Sequence, residues 1–318
     1  MKTEDYIKGI QSGNISTLAK AITLIESSLD KDKIKGEQLI EKCTSLSNKT
    51  IRIGISGTPG VGKSTFIESL GMQLVEKNIK VAILAIDPSS TLSKGSILGD
   101  KTRMEKLSNS TLAFIRPSPN SGVLGGVSNN TKKAITICEV AKFDVIIIET
   151  VGVGQSEAIV ESMTDFFIYL TLVHNGDQLQ FIKKGVLELS DIILINKSDQ
   201  NQAKTKKMIL MLKNSMKNNA QKQGQSVFAC SALTGFNIQK IWRHIVLSYQ
   251  EKDKNGEIQK KREQQDFFWF KKILEEELKD LLFKNIDIKK ILCDYKKKAL
   301  NNPRKIALEI IKKNLKKI

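Results

Sequence analysis

The stretch Gly57-Thr58-Pro59-Gly60-Val61-Gly62-Lys63-Ser64 constrains the fold of this chain more than any other. It fits G-x-x-x-x-G-K-[ST], follows the apolar run Ile51 to Ile55, and precedes a helical stretch from Ser64 to Glu76. A strand, a glycine-rich loop and a helix in that order make a phosphate cradle. Glycines let backbone amides turn inward, and the helix N-terminus adds partial positive charge. The cradle spans Gly57 to Thr65, with Lys63 reaching the β and γ phosphates and the Ser64 hydroxyl binding Mg²⁺.

A phosphate loop of this kind needs a parallel sheet around it, and the sequence supplies one. Short runs rich in Ile and Val recur at Ile51 to Ile55, Val81 to Ile86, Leu112 to Ile115, Phe143 to Ile148, Phe166 to Val173, Ile192 to Ile195 and Val227 to Ala229. Longer amphipathic stretches separate them. That alternation is the pattern of repeated βαβ units, so the fold class is α/β, a P-loop NTPase with a mostly parallel sheet flanked by helices. Ligands of such sheets bind at the carboxyl ends of the strands.

Residues 1–50 read as an N-terminal helical extension. Leu18, Ile22, Leu24 and Ile25 fall on a helical period, and Asp30 to Lys35 reads as a polar break. Residues 51–250 form the P-loop domain, and residues 251–318 a C-terminal helical arm. In that arm Phe267 to Lys284 carries Phe267, Phe268, Phe270, Ile273, Leu274, Leu278, Leu281 and Leu282 among charges. This is an amphipathic helix with a wide apolar stripe, which must either pack on the core or meet a second subunit.

Three acids fall where a metal bound to the phosphates would sit. Asp87 ends one strand, Glu149 ends another, and Asp100 follows in the loop Gly95 to Arg103. Glu149-Thr150-Val151-Gly152 has the spacing of D-x-x-G, with Glu for Asp, and the amide of Gly152 is placed to sense the γ-phosphate. One added methylene suits a water-mediated metal contact. Many small GTPases carry the water-orienting Gln directly after that Gly, where this chain has Val153. Gln155, two residues on, is the candidate for the attacking water. Intrinsic hydrolysis is therefore expected to be slow, with a partner completing the site.

Asn196-Lys197-Ser198-Asp199 follows the run Ile192 to Ile195 and matches N-K-x-D. A carboxylate at Asp199 accepts from guanine N1–H and its amine, whereas adenine offers neither donor at that edge. Lys197 lies along the ring and Asn196 ties the loop to the phosphate cradle. Ser231-Ala232-Leu233 ends the next strand, and the Ala232 amide is expected to donate to guanine O6. These elements in order favour GTP and GDP over ATP.

The overall charge is less informative. A formal net charge of +17 raises nucleic-acid binding. The lysines are scattered among acids and apolar residues, however, as in Lys271 to Lys272, Lys296 to Lys298 and Lys312 to Lys317, which suits solvated helix faces. No nucleic-acid partner is expected. No apolar run approaches the roughly 18 residues needed to cross a bilayer, and Met1 to Ile10 resembles no signal or transit peptide. Cys43, Cys138, Cys230 and Cys293 form no C-x-x-C pair and read as reduced, mostly buried thiols of a cytoplasmic protein. With two histidines, His174 and His244, nothing resembles a nickel store.

Longer motifs carry a family resemblance. Asp87-Pro88-Ser89-Ser90, Gly99-Asp100-Lys101-Thr102-Arg103-Met104, Ile115-Arg116-Pro117-Ser118-Pro119, Glu149 to Glu157 and Gly176-Asp177-Gln178-Leu179-Gln180 closely resemble the MeaB/ArgK-type GTPases. The similarity runs from about Leu18 into the C-terminal helices, with His174-Asn175 departing from the pattern. The resemblance implies a homodimer joined through the C-terminal arm. It also implies a G-protein chaperone of an adenosylcobalamin-dependent acyl-CoA mutase of the methylmalonyl-CoA mutase type, gating cofactor loading and protecting or rescuing the enzyme. It places Asp87, Asp100 and Glu149 in the metal and switch shell, and makes Asp177 to Lys184 a partner-sensing switch. Two rival readings remain, a metallochaperone-like GTPase for another cofactor-dependent enzyme and an ATP-dependent kinase linked to amino-acid transport.

Overall fold

The computed structural model describes residues 1–46, 49–86, 104–117, 124–150, 156–173, 184–217 and 224–285, together with Arg304 and Leu308. The chain divides into two compact units, Met1–Gln259 and Lys260–Ile318.

The first unit opens with helices α1 (Thr3–Gln11), α2 (Ile15–Glu26) and α3 (Asp30–Thr44). It continues through β1 (Ile51–Gly57), α4 (Lys63–Val75), β2 (Val81–Ile86), α5 (Glu105–Ser108), β3 (Ala113–Pro117), α6 (Leu124–Val140), β4 (Val145–Thr150) and α7 (Ser156–Glu161). Then come β5 (Phe166–Leu172), α8 (Lys184–Leu189), β6 (Ile192–Asn196), α9 (Gln202–Lys217), β7 (Ser226–Ala229) and α10 (Ile238–Lys254). The polar stretch at Asp30 is the first turn of α3 rather than a break. Asp30 and Asp32 face the positive end of the helix dipole, and Ser27 Oγ donates to Asp32 at 2.8 Å.

Among the described residues seven strands form one sheet, ordered β3-β2-β4-β1-β5-β6-β7, with every pairing parallel. All seven fall on the apolar runs of the sequence. β2 and β4 are buried along their whole length, as expected of strands covered on both faces. On one face α4, α5 and α10 enclose Ile53, Ile55, Phe66, Leu70, Ile147 and Trp242. On the other, α9 closes over Ile193, Ile195 and Val227 through Leu212. β6 contributes Ile192 and Leu194 to the first cluster and Ile193 and Ile195 to the second, the two-residue alternation of a strand. Each such fully buried aliphatic side chain contributes about 1.5–3 kcal/mol.

Three aspartates pin the register at the amino ends of the strands. Asp144 Oδ2 accepts from Lys80 N at 2.7 Å, Asp165 Oδ2 from Arg52 N at 2.8 Å, and Asp191 Oδ2 from Phe167 N at 2.8 Å. Each precedes one strand and grips a backbone amide in or just before its neighbour. The opposite edge, where β1, β4, β6 and β7 end, is left for ligands.

Helices α1 to α3 bury Ile10, Leu18, Ile22 and Leu39 and pack on α6. Ion pairs Arg116–Glu26 and Lys133–Glu37 tie them to β3 and α6. The Glu26 carboxyl is raised above the usual range by burial, with the Arg116 guanidinium opposing.

From Lys260 on, helix α11 (Glu257–Asn285) supplies the described part of the second unit apart from Arg304 and Leu308. Trp269 is fully buried, and the Lys272 ammonium lies 4.9 Å from its ring centre. Phe267, Phe268, Phe270, Leu274, Leu278 and Leu281 are exposed. The apolar stripe of the sequence is thus largely open to solvent.

Candidate nucleotide site

β1 ends at Gly57 and α4 begins at Lys63, so the loop between them sits at the centre of the sheet's carboxyl edge, flanked by β4 and β5. Two glycines are required by geometry. Gly57 has φ 154°, and a Cβ there would lie 2.4 Å from the Leu170 carbonyl oxygen. Gly62 has φ 92°, and its Cβ would lie 2.8 Å from Asn196 Nδ2. Lys63 Nζ donates to the Gly57 carbonyl at 2.9 Å and to that of Thr58 at 3.4 Å. Its ammonium is held against the loop that cradles phosphate.

Ser64 Oγ donates to Glu149 Oε1 at 3.1 Å. Parallel register pairs Ile55 with Glu149, so the acid at the end of β4 stands beside the phosphate loop. Glu149 is buried. One step along each strand, Thr150 Oγ1 donates to Ser56 Oγ at 2.9 Å, both residues fully buried. Sequence reasoning missed this hydroxyl pair. Its signal was two small polar residues, each at the end of an apolar run and next to a motif residue.

Asn196 is the hub of the base loop. Its Nδ2 donates to the Val61 carbonyl at 2.8 Å, and its Oδ1 accepts from the Ala232 amide at 2.9 Å and from Cys230 Sγ at 3.8 Å. Lys197 adopts φ 55° and reaches Gly60, its Nζ donating to that carbonyl at 3.1 Å. The Ser198 amide donates to the Cys230 carbonyl at 3.0 Å. The Asp199 carboxylate is exposed and accepts no hydrogen bond from a described residue.

One expectation changes here. The Ala232 amide is engaged with Asn196 Oδ1 rather than turned toward a base. The Leu233 N–H, one residue on, is the amide of that tripeptide with no described acceptor, while the Ser231 N–H donates to Phe236 O. The displacement follows from Asn196, whose side chain bridges both loops and needs a donor for its carbonyl.

The structure therefore brings Gly57 to Thr65, Glu149, Asn196, Lys197, Asp199 and Ser231 to Leu233 to one edge. Asp87, Asp100, Gly152, Val153, Gln155 and the stretch Asp177 to Lys183 lie outside the described residues. Among the described residues no cluster of three His, Cys, Asp or Glu side chains offers a metal site. The three described thiols are buried, and burial pushes Cys43 up to about 11 and Cys230 up to about 12, and Cys138 higher still, which disfavours the reactive thiolate.

The family model "Methylmalonyl Co-A mutase-associated GTPase MeaB" matches residues 18–287. The chain belongs to this family. Among its relatives is the GTPase ArgK of Escherichia coli, 42% identical over 287 residues, covering 89% of this chain and 87% of the relative. The mitochondrial methylmalonic aciduria type A homolog of Mus musculus is 38% identical, covering 84% of this chain and 68% of its own. The crystal structure of LAO/AO transport system kinase superposes with a TM-score of 0.75 at 34% identity, covering 98% of this chain and 96% of that one. HypB from Helicobacter pylori, in complex with nickel, covers 70% of this chain with a TM-score of 0.50 at 18% identity, a likeness of fold alone. This MeaB-family chain is a P-loop GTPase that binds guanine nucleotides. No helix among the described residues is long and apolar enough to cross a membrane.

Proposed function

We propose that this MeaB-family GTPase is a chaperone of an adenosylcobalamin-dependent acyl-CoA mutase of the methylmalonyl-CoA mutase type, gating cofactor loading and protecting or reactivating the enzyme. The observation that carries this reading is the family match across residues 18–287, whose description names that mutase. The methylmalonic aciduria name of the mouse relative supports it.

The geometry supports a single connected grip on the nucleotide. Asn196 and Lys197 each bond to the phosphate loop, so base and phosphates are gripped by one connected unit. The Asp199 carboxylate selects guanine, because adenine would leave it facing an acceptor without a donor. Lys63 neutralises phosphate charge. Ser64 and Glu149 present hard oxygen donors 3.1 Å apart, which fits Mg²⁺ bound mainly through nucleotide phosphates. Asp87 and Asp100 are proposed for the same shell, Gly152 for the γ-phosphate and Gln155 for the attacking water. Bound there, Mg²⁺ would supply charge neutralisation at the phosphates.

The exposed apolar stripe of α11 is assigned to a second copy of this chain, which makes residues 251–318 a dimerisation arm. Single-turnover GTP hydrolysis, with and without purified methylmalonyl-CoA mutase, tests the reading. Stimulation of about tenfold or more by the mutase is expected. Fast hydrolysis by the isolated protein, unchanged by the mutase, overturns it. One solved relative bears a kinase name. Release of free phosphate equal to GDP formed, with no phosphorylated acceptor, separates hydrolase from kinase.

A further inference from the structure

The outer side of α10 and Lys77, two residues past α4, form a groove of about 540 Å³. Lys77, Lys240, Trp242, Arg243, Val246 and Leu247 line it. The α10 residues recur at spacings of three and four and so share one helix face. Trp242 makes the floor at 9% exposure, and Leu247 stands 55% exposed on the wall. Lys77, Lys240 and Arg243 are exposed. Among the described residues none of the three meets a carboxylate within ion-pair distance, and no acid lines the groove.

Exposed lysines on a helix are ordinary, and alone they would mean a solvated face. Three features argue otherwise. The cations surround a concave apolar floor, whereas a solvated face is convex and polar. Toward its other end α10 carries one ion pair, Asp253 accepting from Lys49 at 2.9 Å, whereas Lys240 and Arg243 make none among the described residues. The two helices also lead to the nucleotide. α4 starts at Lys63 of the phosphate loop, and α10 starts one residue after Asn237, which closes the loop that follows Ala232. A body that clamps α4 to α10 bears on both nucleotide-gripping loops.

We infer that this groove docks a carboxylate-rich segment of the acyl-CoA mutase, its apolar side chains seated on Trp242, Val246 and Leu247 and its acids on Lys77, Lys240 and Arg243. The inference rests on the proposed mutase partnership. A nucleic acid fits poorly, since phosphate-backbone affinity grows with the number of phosphates neutralised and three cations around an apolar floor make a short track. Exposed charge pairs act chiefly on association rate and salt dependence, while the apolar floor governs dissociation.

The test compares the full-length wild-type protein with Lys240→Glu/Arg243→Glu and the charge-neutral Lys240→Gln/Arg243→Gln, by surface plasmon resonance on immobilised methylmalonyl-CoA mutase. Association of the reversal variant is expected to slow about tenfold at low salt and to lose most of its salt dependence, the neutral variant falling between. Leu247→Ala is expected to speed dissociation without altering the salt slope. Guanine-nucleotide affinity and thermal unfolding of each variant, measured alongside, show that the fold is intact. Wild-type-like rates and salt slope in the reversal variant overturn the inference while leaving the partnership standing. No binding by the wild-type protein removes the partnership and the inference together. Conversion of a dimer to a monomer by light scattering, with mutase binding unchanged, assigns the groove to a second copy and overturns the inference.

Discussion

Asn196 Nδ2 lies 2.8 Å from the Val61 carbonyl oxygen, 135 residues away in sequence, and this contact joins base reader to phosphate cradle. The same side chain accepts from the Ala232 amide, so three loops share one amide group. Asn196 is buried, and removing it leaves a buried carbonyl and a buried N–H without partners.

Asn196→Ala is therefore expected to cost about 1–3 kcal/mol for each group left unsatisfied. Guanine-nucleotide affinity should fall by about tenfold or more, and the melting temperature should drop as well. Titration with a fluorescent GDP analogue and a thermal melt measure the two effects. Unchanged affinity would show that the loops are aligned by something other than this side chain.

Gly62→Ala strikes the same junction from the other side. At φ 92° an alanine is strained, and its Cβ would stand 2.8 Å from Asn196 Nδ2. Backbone strain of this kind costs about 1–3 kcal/mol. The variant should unfold at lower denaturant concentration and bind nucleotide more weakly. A double variant with Asn196→Ala should lose less than the sum of the two, because removing the amide relieves the clash.

Much of this was legible in the sequence because it depends on short-range pattern. The apolar runs marked each strand, since a strand buried on both faces must be continuously apolar. Gly57 to Ser64 and Asn196 to Asp199 were legible because their chemistry requires those residue types in that order. Pairings across the sheet were not legible. Thr150 with Ser56, and Asp144, Asp165 and Asp191 with their neighbours' amides, depend on a strand order that no local spacing encodes. The Ala232 amide illustrates a different limit, since the acceptor that engages it is chosen by the Asn196 rotamer. At Asp30 a run of charges looked like an interruption, because composition does not distinguish a polar loop from a charged first helical turn.

The buried thiols give the protein an alkaline limit. An ordinary thiol ionises near 9.0, while Cys43 is pushed up to about 11 and Cys230 to about 12 in the folded chain. Between those values the unfolded state has lost a proton that the folded state keeps. Stability is thus fully present below pH 9 and is lost as pH rises toward the folded values, by about 1.4 kcal/mol per pH unit for each thiol. Denaturant midpoints measured from pH 7 to 10.5 should be flat and then decline. Replacement of Cys230 by Ala should flatten the decline, and a thiol reagent should modify Cys43, Cys138 and Cys230 only at the rate of unfolding.

Thr150 tests whether the acid at the end of β4 is positioned by its neighbour. Thr150 Oγ1 and Ser56 Oγ, 2.9 Å apart, join the strand carrying Glu149 to the strand that opens into the phosphate loop. Thr150→Val keeps the shape and removes the donor, leaving the Ser56 hydroxyl buried with one partner fewer. If the pair fixes the spacing of Glu149 to Ser64, the Mg²⁺ concentration that half-saturates GTP hydrolysis should rise several-fold, and Thr150→Ser should restore it. A purely structural role predicts otherwise. Thr150→Val would then lower the unfolding free energy by about 1 kcal/mol through the lost hydrogen bond while leaving the Mg²⁺ dependence where it was. Because both hydroxyls are fully buried and bonded to each other, a shift confined to the Mg²⁺ titration points to Glu149 and the loop it faces.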